Sequence, residues 1–417
     1  QAFVSLLGAG QALVPAVEAL ERYDLFSRYL PEWRAVRSLP QRNAFHTYTV
    51  DRHLLQTVAN ANEYVRDVHR PDLLLVGALL HDIGKGYPGD HTDVGMELVE
   101  SIGPRTGFPP EDVAVIRSLV EHHLLLSETA TRRDLSDPRT AVNVAEAIGD
   151  TNRLELLVAL TKADSLATGP AAWSGWKASL IDELVRGVHQ VLRGANGAVE
   201  ATIDAQQFSR LIDQFRADGV VHLEREADGE FETVRIVSAD RQGLFGLIAG
   251  TLALHGLDVV GAQARTAPDG TVVDQFRILV SNGVEPNWSR IEHELRGVLA
   301  GEIDVDAKLE QRIRTHGRAR RRAQAAAPPR LEVFVSNDAS DSTTMVDVRA
   351  PDGLAVLYRL SHALSGAGLD IRSAKVVTLG HEVVDVFYVQ TTNSPTGQVP
   401  VGEFDALRQR LRAALTD

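Results

Sequence analysis

From residue 1 to about residue 205, apolar positions recur at helical spacing. The segments "LLVGALLHDIG", "DVAVIRSLVEHHLLL" and "LELLVALTKADSLA" place Leu, Val and Ala three and four positions apart, the period of a helix with one face in a core. Pro109–Pro110 and Asp137–Pro138 interrupt the series and mark helix boundaries. After residue 219 the period falls to two: "VVHLERE" and "FETVRIVSA" alternate around "ADGE", which predicts two strands joined by a tight turn. A repeat follows. The segment "DRQGLFGLIAGTLALHGLDVVGAQ" and its successor "PDGLAVLYRLSHALSGAGLDIRSAK" both run from an Asp/Gly turn through an amphipathic helix and a "GLD" break into a strand. Each copy closes on an amphipathic segment, Trp288–Leu299 and Phe404–Leu415. The expected organisation is a helical domain over 1–205, a connector over 206–218, a first small α+β domain over 219–310, a basic flexible linker over 311–330 and a second α+β domain over 331–417.

Composition narrows the function classes. With 417 residues, 44% hydrophobic and 24% charged, the chain is an ordinary globular one. A net charge of −13 argues against nucleic acid as a partner, and the short basic run "RTHGRARRRAQAAAPPR" has no aromatics on which bases could stack. No apolar run reaches the roughly 18–20 residues needed to span a bilayer. There is no Cys, so thiolate metal sites and a Cys nucleophile are excluded, and a reducing cytoplasm is the expected location. The first residue is Gln1, which reads as a piece of a longer protein.

The polar residues that break the helical stripes are the candidate chemistry. They are His53, His81, Asp82, His91, His122, His123 and Asp164. A carboxylate on an apolar face must be paired, metal-bound or exposed. Imidazole with carboxylate suits a borderline-to-hard divalent ion, Mn or Mg first and Fe or Zn next. The remaining histidines, His69 and His362 among them, read as hydrogen-bonded core residues.

The string "LLHDIGK", with His53 before it and Asp164 after it, resembles the HD superfamily of metal-dependent phosphohydrolases. The resemblance implies an all-α domain in which His53, His81, Asp82 and Asp164 bind one ion. His91 and His123 are similar to the extra ligands of two-metal members, with Asp82 bridging. The ion would make water nucleophilic for in-line attack on phosphorus, and Lys85 would contact a phosphate oxygen or the leaving group. The longer strings "FHTYTVDRH", "HDIGKGYPGDHTDVG", "VEHHLLLSETATRRDLSDP" and "LVALTKADSLATGPAAWSGWKASLIDELV" resemble the C-terminal part of the PII uridylyltransferase/uridylyl-removing family of nitrogen control. That implies a phosphodiesterase that removes UMP or AMP from a modified Tyr of the PII signal protein. No "GGS" followed by "DxD" accompanies them, so the nucleotidyltransferase domain, and the adding reaction, are expected to be missing. The two repeats resemble ACT domains, of ferredoxin-like βαββαβ fold, which in that family sense glutamine. Their ligand-facing turns would be Asp240, Arg241, Gln242, Gly243 and Leu244 in the first copy, and Pro351, Asp352, Gly353 and Leu354 in the second. Two alternatives stay open: a hydrolase of guanosine tetraphosphate-like nucleotides, and a non-catalytic amino-acid sensor.

Overall fold

The computed structural model describes residues 2–41, 47–135, 137–169, 172–194, 205–228, 231–266, 269–280, 286–320, 331–353, 355–379 and 382–416. The candidate Leu354 and residues 321–330 of the expected linker lie outside them. The chain forms two compact units. One comprises Gln1–Ala130 with Thr140–Val199, the other Thr131–Arg139 with Glu200–Asp417.

The first unit is helical. Its centre is the helix Pro71–Leu80, which starts on Pro at its first position and is buried from Leu73 to Leu80. A helix apolar all round belongs inside, and this one is packed by Val50–Ala61, Pro110–His122 and Thr151–Thr168. A 3₁₀ turn at Ile83–Gly86 then meets the helix His91–Arg105. Gly84 makes that contact possible: a Cβ there would lie 2.0 Å from the His91 carbonyl oxygen.

The second unit is built on one sheet of eight strands: β1 (His222–Asp228), β2 (Phe231–Ala239), β3 (Asp258–Thr266), β4 (Thr271–Leu279), β5 (Glu332–Ser336), β6 (Thr344–Pro351), β7 (Leu369–Leu379) and β8 (Glu382–Thr391). The order is β1-β2-β4-β3-β7-β8-β6-β5, and every pairing is antiparallel. The copies therefore join side by side at β3 and β7, with Ala262 opposite Val376. Helices Leu244–Leu254 and Val356–Ser365 pack against each other, and one apolar core runs through both copies. Phe245 stacks on Phe276 at 5.3 Å and meets Phe387 of the other copy edge-on at 6.5 Å.

Three details differ from the sequence reading. The edge strand of each copy, β1 or β5, comes from the leading hairpin and occupies the place that the last strand of βαββαβ would take. The expected connector is a helix, Ala205–Asp218, whose Phe208 and Leu211 cover Val237 and Val273 on the second face of the sheet; β2 is consequently buried on both faces. The first ten residues of the expected flexible linker are helical, since the helix Val305–Arg320 continues through them. Its Ala, Arg, Glu and Gln are good helix formers, and Val305 and Leu309 anchor it in a small core.

Candidate metal centre

Two histidines are placed by the same local device. His81 directly follows the helix Pro71–Leu80, and His123 follows Pro110–His122. A helix end leaves carbonyls without partners. His81 Nδ1–H donates to Ala78 O at 2.9 Å, and His123 Nδ1–H donates to Val120 O at 2.7 Å. Each bond fixes the tautomer, so both Nε2 lone pairs face the cluster, the second-shell arrangement typical of metal-binding imidazoles. His53 comes from the helix Val50–Ala61, Asp164 from Thr151–Thr168, and His91 opens His91–Arg105 behind the N-cap Asp90.

These residues converge around Asp82. His81 Nε2 and His53 Nε2 lie 3.5 and 3.7 Å from Asp82 Oδ2. His91 Nε2 and His123 Nε2 each lie 3.6 Å from Oδ1. One carboxylate thus offers one oxygen to each imidazole pair. Asp164 Oδ1 closes the first group, 3.0 Å from His53 Nε2 and 3.5 Å from His81 Nε2. Potential donor atoms fall into two sets, His53–His81–Asp82 and Asp82–His91–His123, each spanning less than 4.8 Å. Such sets can hold a divalent ion apiece. Asp82 Oδ1 is buried with no hydrogen-bond partner among the described residues, an expensive state unless a cation completes it. The donor types fit the group: neutral imidazole and carboxylate, no thiolate.

The electrostatics agree with the geometry. Burial pushes the Asp82 carboxyl up, but the neighbouring His81, Lys85, His123 and His53 outweigh it and hold the group below the usual carboxylate range. Asp164 behaves in the same way, with His81 as its strongest opposing charge. Burial lowers His81, yet Asp82 and Asp164 carry it above its ordinary value. His123 is pushed down, chiefly by burial. Both acids are therefore held ionised in a nearly dry site, and opposite charge is what stabilises them.

Lys85 is placed against Asp82 rather than alone at a helix end. Its Nζ lies 2.5 Å from Asp82 Oδ2 and donates to Gln41 Oε1 at 3.1 Å. Gln41 carries no motif signal in the sequence. His122 stays outside both ligand sets. His69 and His362 are not core residues: their side chains are 76% and 61% exposed and pair with Glu155 and Asp306, His69 because it lies in a surface bend before the helix Pro71–Leu80 and His362 because it lies on the exposed side of Val356–Ser365.

In the sheet unit the first candidate turn sits at the seam of the copies. Asp240, Arg241, Gly243 and Leu244 line a groove together with Asp274, Ser365 and Asp370. Gly243 holds φ +76° next to Ser365. Gln242 Nε2 reaches Ser365 O at 3.4 Å, and the Arg241 guanidinium donates to Leu299 O. Asp352 and Gly353 follow β6. Asp274 was not singled out by the motifs. A signal existed, since "VVDQF" and "VVDVF" put Asp274 and Asp385 at equivalent repeat positions.

Comparison with known proteins bears on both units. Residues 50–169 match the HD domain family. A bifunctional uridylyltransferase/uridylyl-removing enzyme of Streptomyces coelicolor is 43% identical over 93% of this chain and 51% of its own length. A Mycobacterium tuberculosis protein of the same name is 41% identical over 92% of this chain and 48% of its own. One from Gluconobacter oxydans is 32% identical over 95% and 48%. The chain spans about half the length of these relatives. Among the described residues no helix is long and apolar enough to cross a membrane. An HD domain, a cluster that can hold divalent metal, and homology along more than nine-tenths of the chain support an HD-superfamily hydrolase. The chain is an HD-domain protein homologous to the C-terminal half of the bifunctional uridylyltransferase/uridylyl-removing enzymes.

Proposed function

We propose that this protein is a cytoplasmic metal-dependent phosphodiesterase that removes a nucleotidyl group, UMP or AMP, from a modified Tyr of the PII signal protein, under control of glutamine bound to the paired ACT copies. The observation that carries the hydrolytic reading is Asp82, with one carboxylate oxygen facing His53 and His81 and the other facing His91 and His123. Ions held by His53, His81, Asp82, His91 and His123 would lower the pKa of bound water and offset charge on the transferring phosphoryl group. The chain's own residues do the rest. Ala78 O and Val120 O hold two imidazoles in the tautomer that keeps Nε2 free for a ligand. Lys85 holds one oxygen of Asp82 and lies at the site's partly exposed edge, where a phosphate oxygen can reach it. Water oxygen bonds to phosphorus, the bond from phosphorus to the Tyr oxygen breaks, and the phenol leaves with a proton, giving a nucleoside monophosphate and unmodified PII.

For the ACT pair, the groove at the Asp240–Leu244 turn supports the reading. The start of the helix Leu244–Leu254 favours an anion such as an amino-acid carboxylate, and a glycine at φ +76° permits close backbone approach. The test is incubation of uridylylated and adenylylated PII with the full chain and Mn, read by intact mass. One of the two should return to the mass of unmodified PII, faster or slower with glutamine and not at all with EDTA. PII of unchanged mass in every Mn-containing arm removes the reading.

A further inference from the structure

Asp274 lies on β4 between Val272 and Phe276, on the sheet face that the helices cover. It is 1% exposed, and neither carboxyl oxygen has a hydrogen-bond partner among the described residues. Leaving such a group unpaired is costly. Asp274 nevertheless lies among the residues that line the seam groove. At the mouth of that groove, Asp240 and Asp370 come from different copies. Arg372 Nη1 sits 3.0 Å from Asp370 Oδ2 and 3.4 Å from Asp240 Oδ2.

An α-amino acid presents three groups to this groove. Its carboxylate suits the start of the helix Leu244–Leu254, and its ammonium can share the Asp240 and Asp370 carboxylates with Arg372. The side chain is then left for Asp274. Burial, reinforced by the nearby Asp240, pushes the Asp274 carboxyl well above the usual range, and in its protonated form the group carries one O–H donor and one carbonyl acceptor. A primary carboxamide is the reciprocal partner: its N–H₂ donates to the carbonyl and its oxygen accepts from the O–H. A side-chain carboxylate supplies no donor and adds negative charge beside Asp240 and Asp370.

We infer that Asp274 is the specificity-determining residue of this groove, pairing with the terminal carboxamide of an amino-acid ligand and disfavouring the corresponding carboxylate. The inference rests on the sensor reading given above and goes beyond it by naming the discriminating atoms. Calorimetry with glutamine and glutamate on the full-length chain tests it, using wild type, Asp274→Asn and Asp274→Leu. Asparagine's amide keeps one donor and one acceptor, so Asp274→Asn should bind glutamine within a few-fold of wild type. Leucine keeps the branch at Cγ and removes both groups. Asp274→Leu should therefore bind glutamine about 10–100-fold more weakly and lose the preference over glutamate. Its unliganded melting temperature should be unchanged or higher, since an unpaired buried carboxyl has gone, which separates lost recognition from misfolding. Asp274→Leu that keeps wild-type preference overturns the inference and leaves the sensor reading standing. Asp274→Asn as weak as Asp274→Leu also overturns it, in favour of an ionised Asp274 holding an ammonium. A wild type that binds no amino acid removes both.

Discussion

The helical unit and the sheet unit both bury carboxylic acids, and they hold them in opposite states. Asp82 and Asp164 lie among imidazoles and a lysine and are kept ionised. Asp274 and Asp385 lie on sheet strands with apolar neighbours and other acids, and their carboxyls are pushed up, that of Asp385 to about 8. Burial raises all four. The sign is set by the neighbours: His81 is the strongest opposing charge for the first pair, whereas Asp240 and Asp352 reinforce burial for the second. An acid held ionised in the dark of a protein is a receptor for cations. An acid held neutral is a donor and acceptor for an uncharged ligand group. One residue type thus equips two unlike sites.

The comparison breaks first at Asp82. Asp82→Ala removes an oxygen from each imidazole pair, so hydrolysis of nucleotidylated PII should fall to the uncatalysed background while circular dichroism stays that of wild type. Full activity in that variant would end the catalytic assignment. The next largest effect concerns pH. Asp385 binds its proton in the folded chain up to about pH 8 but releases it near pH 4 when unfolded. Its contribution to stability is complete below pH 4 and is lost as pH rises towards 8, by at most on the order of 5 kcal/mol. Asp385→Asn removes that slope. The melting temperature of the variant relative to wild type should climb from pH 5 to pH 8 and level off above it. A pH-independent difference would show that Asp385 is ionised in the fold.

A smaller effect sharpens the two-set reading. Gly84→Ala places a methyl 2.0 Å from the His91 carbonyl oxygen, so the backbone must move and carry His91 with it. Affinity for the second ion should drop about 10–100-fold, the usual scale for disturbing ligand orientation, with the first ion retained in a Mn titration. The smallest effect is a control. Arg117 is 39% exposed and pairs with Glu100 and Glu121 on the surface, so Arg117→Ala should alter stability by less than about 0.5 kcal/mol in urea unfolding.

Much of the helical site was legible in the sequence because its ligands are chemically conspicuous. Charged and imidazole side chains interrupt apolar stripes, and few arrangements tolerate that. Helical periodicity could not choose between His122 and His123; the choice follows from the helix ending at His122, which turns His123 inward to cap Val120 O. The strands were legible from their alternation, but the double-sided burial of β2 was not, since it depends on a helix that arrives from residues 205–218. Over 311–320 the Arg and Gln content favours a helix, while the run of positive charge reads as a linker, and the anchoring of Val305 and Leu309 decides for the helix. Asp274 and Asp385 stood at matching repeat positions, yet an acid in a strand reads as solvent-facing until the seam between copies is known.

On the proposed reading, His53, His81 and Asp82 would hold one divalent ion, and Asp82, His91 and His123 a second. Mn titration of the wild type, His123→Ala and Asp82→Ala, followed by loss of the free-ion electron paramagnetic resonance signal, tests it most directly. The account predicts two tightly held equivalents in the wild type, one in His123→Ala, and none in Asp82→Ala. Asp82→Ala that still takes up two equivalents, or a wild type that takes up none, would contradict it.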